Sequence, residues 1–285
     1  MPSKLWLSPN RERAGVDHLP VWTYHSRGER HNLPVVFLHG FMGAGADWLP
    51  IAELCVNHFF CLMPDLPGHG HNTQLPFSQP LDFDGVVEGL QVFLQYLQLD
   101  RIGLVGYSLG GRIALYAATK FPEKIGALVL ESCQAGIADE QMRRDRAEAD
   151  DRRAETLLAQ GMESFVEHWY ELDLFYTLKS QPRLLTEIKE KRKKNDPRWV
   201  AKIIQELSPG RQPPLWEKLG ALPMPVMLIA GGLDSKYAEL AATMGRQMPE
   251  AVVEIIPGVG HNVHLENPGQ FRKVVTGFLQ EKLLS

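Results

Sequence analysis

Apolar and polar positions divide the chain into short apolar runs toward its two ends and long charged stretches between them. Leu33-Pro34-Val35-Val36-Phe37-Leu38, Phe59-Phe60-Cys61-Leu62-Met63, Ile102-Gly103-Leu104-Val105, Ala127-Leu128-Val129-Leu130-Glu131 and Val226-Met227-Leu228-Ile229-Ala230 are almost unbroken runs of aliphatic, β-branched and aromatic residues. Strands covered on both faces of a parallel sheet have this composition. From about Asp82 to Leu99 the apolar positions Phe83, Val86, Val87, Leu90, Phe93, Leu94 and Leu97 instead follow a helical period with one buried face. Strand and helix patterns in alternation predict an α/β chain with a mostly parallel twisted sheet and helices on both faces. Val252-Val253-Glu254-Ile255-Ile256 supplies a last strand, and residues 4 to 30 alternate apolar stretches with turn residues as an opening antiparallel hairpin would.

Between about Cys133 and Trp216 the strand pattern stops and charged helical stretches replace it. Because strands resume at Val226, this segment reads as an insertion. The expected organisation is a core of residues 1–133 and 217–285, with a helical cap at 134–216 over the carboxyl edge of the sheet.

Composition narrows the picture. The 285 residues, 44% of them hydrophobic, suffice for one large α/β domain. A net charge of −4 gives no reason to expect nucleic acid. No window approaches the roughly 20 apolar residues of a membrane span, and Met1-Pro2-Ser3-Lys4-Leu5-Trp6 lacks an apolar signal core. Cys55, Cys61 and Cys133, odd in number and apolar in setting, read as reduced packing residues. The expectation is a cytoplasmic protein with no membrane partner, whose oligomeric state is open but for which a monomer is favoured.

The chemistry centres on Gly106-Tyr107-Ser108-Leu109-Gly110, a G-x-S-x-G string after a strand and before a helix. A sharp strand-to-helix turn exposes the serine oxygen and needs glycine where neighbouring chains pass closely. The amide of Leu109 then lies at a helix N-terminus, free to hold a developing negative oxygen. His39-Gly40-Phe41-Met42-Gly43, at the end of an earlier strand, offers a second such amide from Phe41 or Met42. A serine hydroxyl also needs a base, and the base a carboxylate. Asp234 follows one late strand and His261 the next, in the chain order Ser, Asp, His of an α/β hydrolase. Glu131 rivals Asp234 because its strand end can also carry an acid, and His264 rivals His261. His69 sits in a proline- and glycine-rich turn before the nucleophile and is better placed to shape a loop than to do chemistry.

Most cap charges, among them Arg143, Arg144, Arg146, Arg152 and Arg153, read as solvated helix faces. Arg112 differs: four residues after Ser108, it projects along the same helix face. Arginines around the pocket would select a small anionic substrate with several carboxylates.

These strings resemble a known family. His39-Gly40-Phe41, Tyr107-Ser108-Leu109-Gly110-Gly111-Arg112, Asp234-Ser235-Lys236-Tyr237 and Gly260-His261-Asn262-Val263-His264-Leu265-Glu266-Asn267-Pro268 are similar to those of the α/β-hydrolase superfamily, and within it of the MenH-type SHCHC synthases of menaquinone biosynthesis. The elbow is shared across the superfamily, whereas the other strings together are far more specific. The resemblance implies an α/β-hydrolase fold, no cofactor, a Phe41 and Leu109 oxyanion hole, and substrate contacts from Tyr107, Arg112, Arg146, Trp169 and, by looser alignment, Arg192. It implies loss of pyruvate from a succinyl-enolpyruvyl-hydroxycyclohexene carboxylate, not hydrolysis. A carboxylesterase, a carbon–carbon hydrolase of acidic ketones and a non-catalytic ligand-binding protein of this fold share the same triad.

Overall fold

The computed structural model describes residues 22–73 and 75–284. Its strands are β1 (Tyr24–Arg27), β2 (Leu33–Leu38), β3 (Phe59–Pro64), β4 (Ile102–Tyr107), β5 (Ile125–Glu131), β6 (Val226–Gly231) and β7 (Ala251–Ile256). They form one sheet in the order β1-β3-β2-β4-β5-β6-β7, parallel throughout except for β1. The continuous apolar runs become the interior strands, and β3, β5 and β6 are buried along their whole length. β7 is one of the two edge strands, which is why Val252, Val253 and Ile255 remain exposed. Of the expected opening hairpin, Leu5-Trp6-Leu7 lies outside the described residues. Of the expected second arm, Val21-Trp22-Thr23-Tyr24, Val21 is also outside them and only Tyr24 falls in a strand: β1 pairs antiparallel with β3, placing Tyr24 opposite Pro64.

Helices cover both faces. On one, α2 (Phe83–Tyr96), α3 (Leu109–Lys120) and α7 (Ser235–Gly245) bury Phe93, Leu90, Ile113 and Met244 against the sheet. Asp82 starts α2 by accepting a hydrogen bond from the Gly85 amide at 2.8 Å, a side-chain cap of the usual kind. On the other face, α1 (Leu49–Glu53) and α9 (Pro268–Leu284) enclose Trp48, Phe37, Phe271 and Val275. Burying a side chain such as Phe271 completely contributes about 1.5–3 kcal/mol, so the two faces hold the sheet firmly. A short helix, α8 (Val263–Glu266), precedes α9. All three cysteines are buried and free.

Between β5 and β6 the described chain adds no strand. It forms α4 (Glu140–Trp169), α5 (Pro182–Arg192) and α6 (Pro197–Glu206), with a 3-10 segment, Asp173–Ser180, between the first two. α4 is broken at Gly161, whose φ of 83° is open to glycine and strained for other residues. The cap has its own apolar cluster, with Leu157, Val166, Phe175, Ile188 and Val200 packing around Met42 from the core. Met42 therefore ties the cap to the loop after β2, directly above the strand ends. No described helix is long and apolar enough to cross a membrane.

Candidate active site

The elbow after β4 forces Ser108 to φ 50° and ψ −107°, a conformation a non-glycine residue adopts only where its surroundings impose it. The surroundings are crowded: a Cβ on Gly106 would collide with the Gly110 carbonyl, and one on Gly110 with the Leu38 carbonyl. Only hydrogen at both positions lets α3 start so close to β2 and β4. The Ser108 amide donates to the Glu131 carbonyl at 2.9 Å, pinning the turn to β5. Leu109 is the first residue of α3, where amides lack intrahelical acceptors. Phe41, in the loop after β2, lines the same cavity as Ser108 and Leu109.

Two carboxylate–histidine pairs stand at neighbouring strand ends. Asp234 follows β6 and caps α7, and its Oδ2 accepts from His261 Nδ1 at 2.7 Å. The other ring nitrogen of His261, Nε2, is 3.3 Å from Ser108 Oγ. Ser108, His261 and Asp234 are thus joined in one chain of hydrogen bonds. Glu131, the rival acid, is taken: its oxygens lie 2.8 and 2.9 Å from His264 Nδ1, and Oε1 also accepts from the His264 amide at 3.0 Å. The ring of His264 stacks on Trp48 at 4.2 Å. Glu266 fixes the intervening loop, accepting from the Gly260 and Asn262 amides at 3.0 and 3.3 Å.

The space around Ser108 has two lobes, and Ser108, Phe41, Trp169 and Leu174 line both. The first, of about 530 Å³, is walled by Tyr107, Arg192, Asp47, His261, Asn262 and His264. Here charge is already cancelled, because Arg192 Nη2 meets Asp47 Oδ2 at 2.7 Å. Burial alone would raise the Asp47 carboxyl, but the Arg192 guanidinium overrides it and holds the acid below its ordinary range. Burial likewise works against the charge of Arg192, yet Asp47 and Tyr170 carry its pKa above the ordinary value. The Tyr107 hydroxyl donates to Asn262 Oδ1, and burial pushes its pKa well up, so it stays a donor. His39 closes this wall, accepting from the Leu66 amide at 3.0 Å, with burial lowering its pKa and favouring the neutral ring.

The second lobe, of about 590 Å³, holds Arg112, Arg146, Arg153, Asp150 and Tyr237. Arg112 is buried, and its Nη1 is spent on neutral acceptors, the Leu207 carbonyl at 3.0 Å and Gln212 Oε1 at 3.4 Å. Burial lowers its pKa to about 10, which still leaves it charged at neutral pH. No carboxylate pairs with Arg112 among the described residues. A buried guanidinium in that state is costly unless an anion arrives.

Every residue named from the sequence for this site lies at it: Ser108, Asp234, His261, Phe41, Leu109, Tyr107, Arg112, Arg146, Trp169 and Arg192 border these lobes or, for Asp234, their outer mouth. Other cap charges behave as solvated faces. Lys179 pairs with Glu171, Lys189 with Glu167 and Arg198 with Asp196. Sequence reasoning missed Asp47, Asp150, Tyr237 and Asn262 and read Arg153 as surface. Arg146, Asp150 and Arg153 recur at i, i+4 and i+7 on one helix face, a signal that could have found two of them.

The family described as the alpha/beta hydrolase fold matches residues 34–268. The chain is 33% identical over 259 residues to 2-succinyl-6-hydroxy-2,4-cyclohexadiene-1-carboxylate synthase of Yersinia enterocolitica, covering 90% of each chain. It is 34% identical to the protein PHYLLO of Arabidopsis thaliana over 86% of its own length, but spans only 15% of that much longer relative. Among solved structures, MenH from S. aureus superposes with a TM-score of 0.88 at 31% identity, over 91% of this chain and 98% of that one. With fold, elbow and relatives in agreement, the chain belongs to the α/β-hydrolase superfamily and, within it, to the 2-succinyl-6-hydroxy-2,4-cyclohexadiene-1-carboxylate synthase family.

Proposed function

We propose that the protein releases pyruvate from 2-succinyl-5-enolpyruvyl-6-hydroxy-3-cyclohexene-1-carboxylate to give 2-succinyl-6-hydroxy-2,4-cyclohexadiene-1-carboxylate, the product named in its relatives. The observation that carries this reading is the Ser108–His261–Asp234 chain opening onto a lobe that holds the buried, unneutralised Arg112. A hydrolase of simple esters gains nothing from a desolvated guanidinium beside its nucleophile, whereas a substrate with three carboxylates supplies the missing anion.

The chemistry follows from the geometry. His261 Nε2 accepts the Ser108 proton as Ser108 Oγ takes the proton alpha to the succinyl ketone, and Asp234 holds the ring in the required tautomer and stabilises its charge. The ketone oxygen becomes an enolate and is held by the Phe41 and Leu109 amides, each such donor contributing about 2.7–4 kcal/mol in the transition state. Electrons then move through the ring: the C2–C3 bond becomes double, the 3-ene shifts to C4–C5, and the C5–O bond breaks. The enolpyruvyl oxygen leaves with the electron pair, and the enol returns to the keto form of pyruvate on protonation at carbon. No bond forms between Ser108 and substrate, and no water is consumed.

Pyruvate release from the substrate, compared with hydrolysis of a simple aryl ester by the same preparation, tests the proposal. Fast pyruvate release with feeble ester cleavage is the expected outcome. Rapid ester cleavage without pyruvate would make the protein a serine esterase of this fold and overturn it.

A further inference from the structure

The basic lobe contains one carboxylate, and its placement is informative. Asp150 is almost fully buried and lies between two arginines of the same helix: its Oδ2 accepts from Arg146 Nε at 2.8 Å and its Oδ1 from Arg153 Nη1. Ser208, from the turn after α6, donates to Oδ2 at 2.7 Å and locks the carboxylate from the opposite side. One acid therefore fixes two guanidiniums and neutralises only one of them. Each bond also leaves a donor face unspent. Arg146 is held through Nε, which frees its two terminal nitrogens, and Arg153 through one terminal nitrogen, which frees Nε and Nη2. Either pair matches the two oxygens of a carboxylate.

Arg153 is aimed as well as free. Its guanidinium lies 5.8 Å from the Trp169 ring centroid, a cation–π placement that holds the half-buried side chain against the cavity wall. It borders both the inner basic lobe and the wider mouth that leads to it past Lys236 and Asp234. Its neighbour Arg152 is exposed and, among the described residues, pairs only with Glu148, at 3.8 Å.

We infer that Arg153 is the third substrate-binding arginine of this lobe, beside Arg112 and Arg146, gripping a carboxylate of the polycarboxylate substrate at the lobe's outer side, and that Asp150 is the residue that positions Arg153 and Arg146 for this. The inference rests on the proposed function for the identity of the anion. With Arg112, the lobe presents three guanidiniums against the single charge of Asp150, a net surplus suited to a dicarboxylate skeleton. A monocarboxylate would leave one of these charges unmatched.

The test uses binding as well as turnover. The probe is 2-(3-carboxypropanoyl)benzoate, an unreactive aromatic dicarboxylate with the product's skeleton, titrated calorimetrically into the intact protein and into Arg153→Met and Arg152→Met variants. Arg153→Met leaves Asp150 bonded to Arg146 and Ser208, so the fold is retained. It is expected to weaken the probe about tenfold or more, with KM for pyruvate release rising similarly and kcat falling much less. Arg152→Met, which removes the same charge one residue away, is expected to change affinity less than about twofold. Equal affinity in Arg153→Met and the native protein, or equal losses in the two variants, would overturn the inference and return Arg153 to surface charge. Failure of the proposed function has a separate signature. The native protein would then bind the probe with the Arg153 dependence intact and yet release no pyruvate.

Discussion

The molecule builds the same pair twice and uses it for different ends. Asp234 with His261 and Glu131 with His264 both join a strand-end carboxylate to a histidine Nδ1 at 2.7–2.8 Å. What separates them is the surroundings of the ring. His261 turns its free nitrogen to Ser108 Oγ, while Phe175, Tyr107 and Tyr237 pack around its ring without blocking that direction. His264 lies flat on Trp48, touches Phe271 and Tyr107, and gives Glu131 its backbone amide as well as its ring. The second pair therefore ties α8 to β5 and supports the wall on which Tyr107 and Asn262 stand. A carboxylate–histidine pair is a catalytic unit only when its outer nitrogen faces a group that can give up a proton.

The comparison predicts a graded series of variants. Removing the group that the outer nitrogen serves should cost most: Ser108→Ala is expected to lower kcat for pyruvate release by more than about 10⁴-fold with the fold intact, measured by coupled pyruvate assay and thermal melting. Asp234→Asn comes next, at about 10³–10⁴-fold in kcat, because the amide lets His261 settle in the wrong tautomer. Glu131→Gln should instead show up in stability. It keeps kcat within about tenfold but loses about 1–3 kcal/mol, read as a fall of several degrees in Tm. A variant pair with these effects exchanged would reverse the assignment of the two acids.

The basic lobe sharpens the same contrast through pH. Burial places the Arg112 pKa at about 10, below its ordinary 12.5. Its charge, and with it anion binding, is lost as pH rises through about 10, so kcat/KM should fall there. The sign for stability is opposite: the fold disfavours the protonated form, so losing that proton stabilises it, and the decline in kcat/KM is not unfolding. Arg112→Gln should raise KM about 10- to 100-fold at neutral pH and abolish this alkaline limb. The smallest effect belongs to Tyr107→Phe, which removes the hydroxyl donated to Asn262 and should cost about tenfold or less in kcat/KM.

The sequence made the sheet and triad legible because each feature is local. Buried strands read as apolar runs, the elbow needs glycine at Gly106 and Gly110, and Asp234 and His261 each follow a strand by a few residues. Pairings set by tertiary placement were not legible. Glu131 and His264 are 133 positions apart, and only the docking of α8 beside β5 brings them together. Asp47 meets Arg192 across a separation of 145 for the same reason, through the cap's descent onto the loop after β2. Arg153 was hidden differently: a row of charges on a helix looks alike in solvent and over a cavity, and the Ser208 turn that buries Asp150 is remote in sequence. β1 shows how far local alternation reaches, since it identifies a strand but not that its partner is β3.

The most direct measurement compares initial rates of pyruvate release by His261→Ala and His264→Ala at matched folded protein concentration, below the melting temperature of each. The account predicts a loss of at least about 10³-fold for His261→Ala and no more than about tenfold for His264→Ala. Equal losses, or a His261→Ala variant that still turns over near the native rate, would contradict the division of labour between the two pairs.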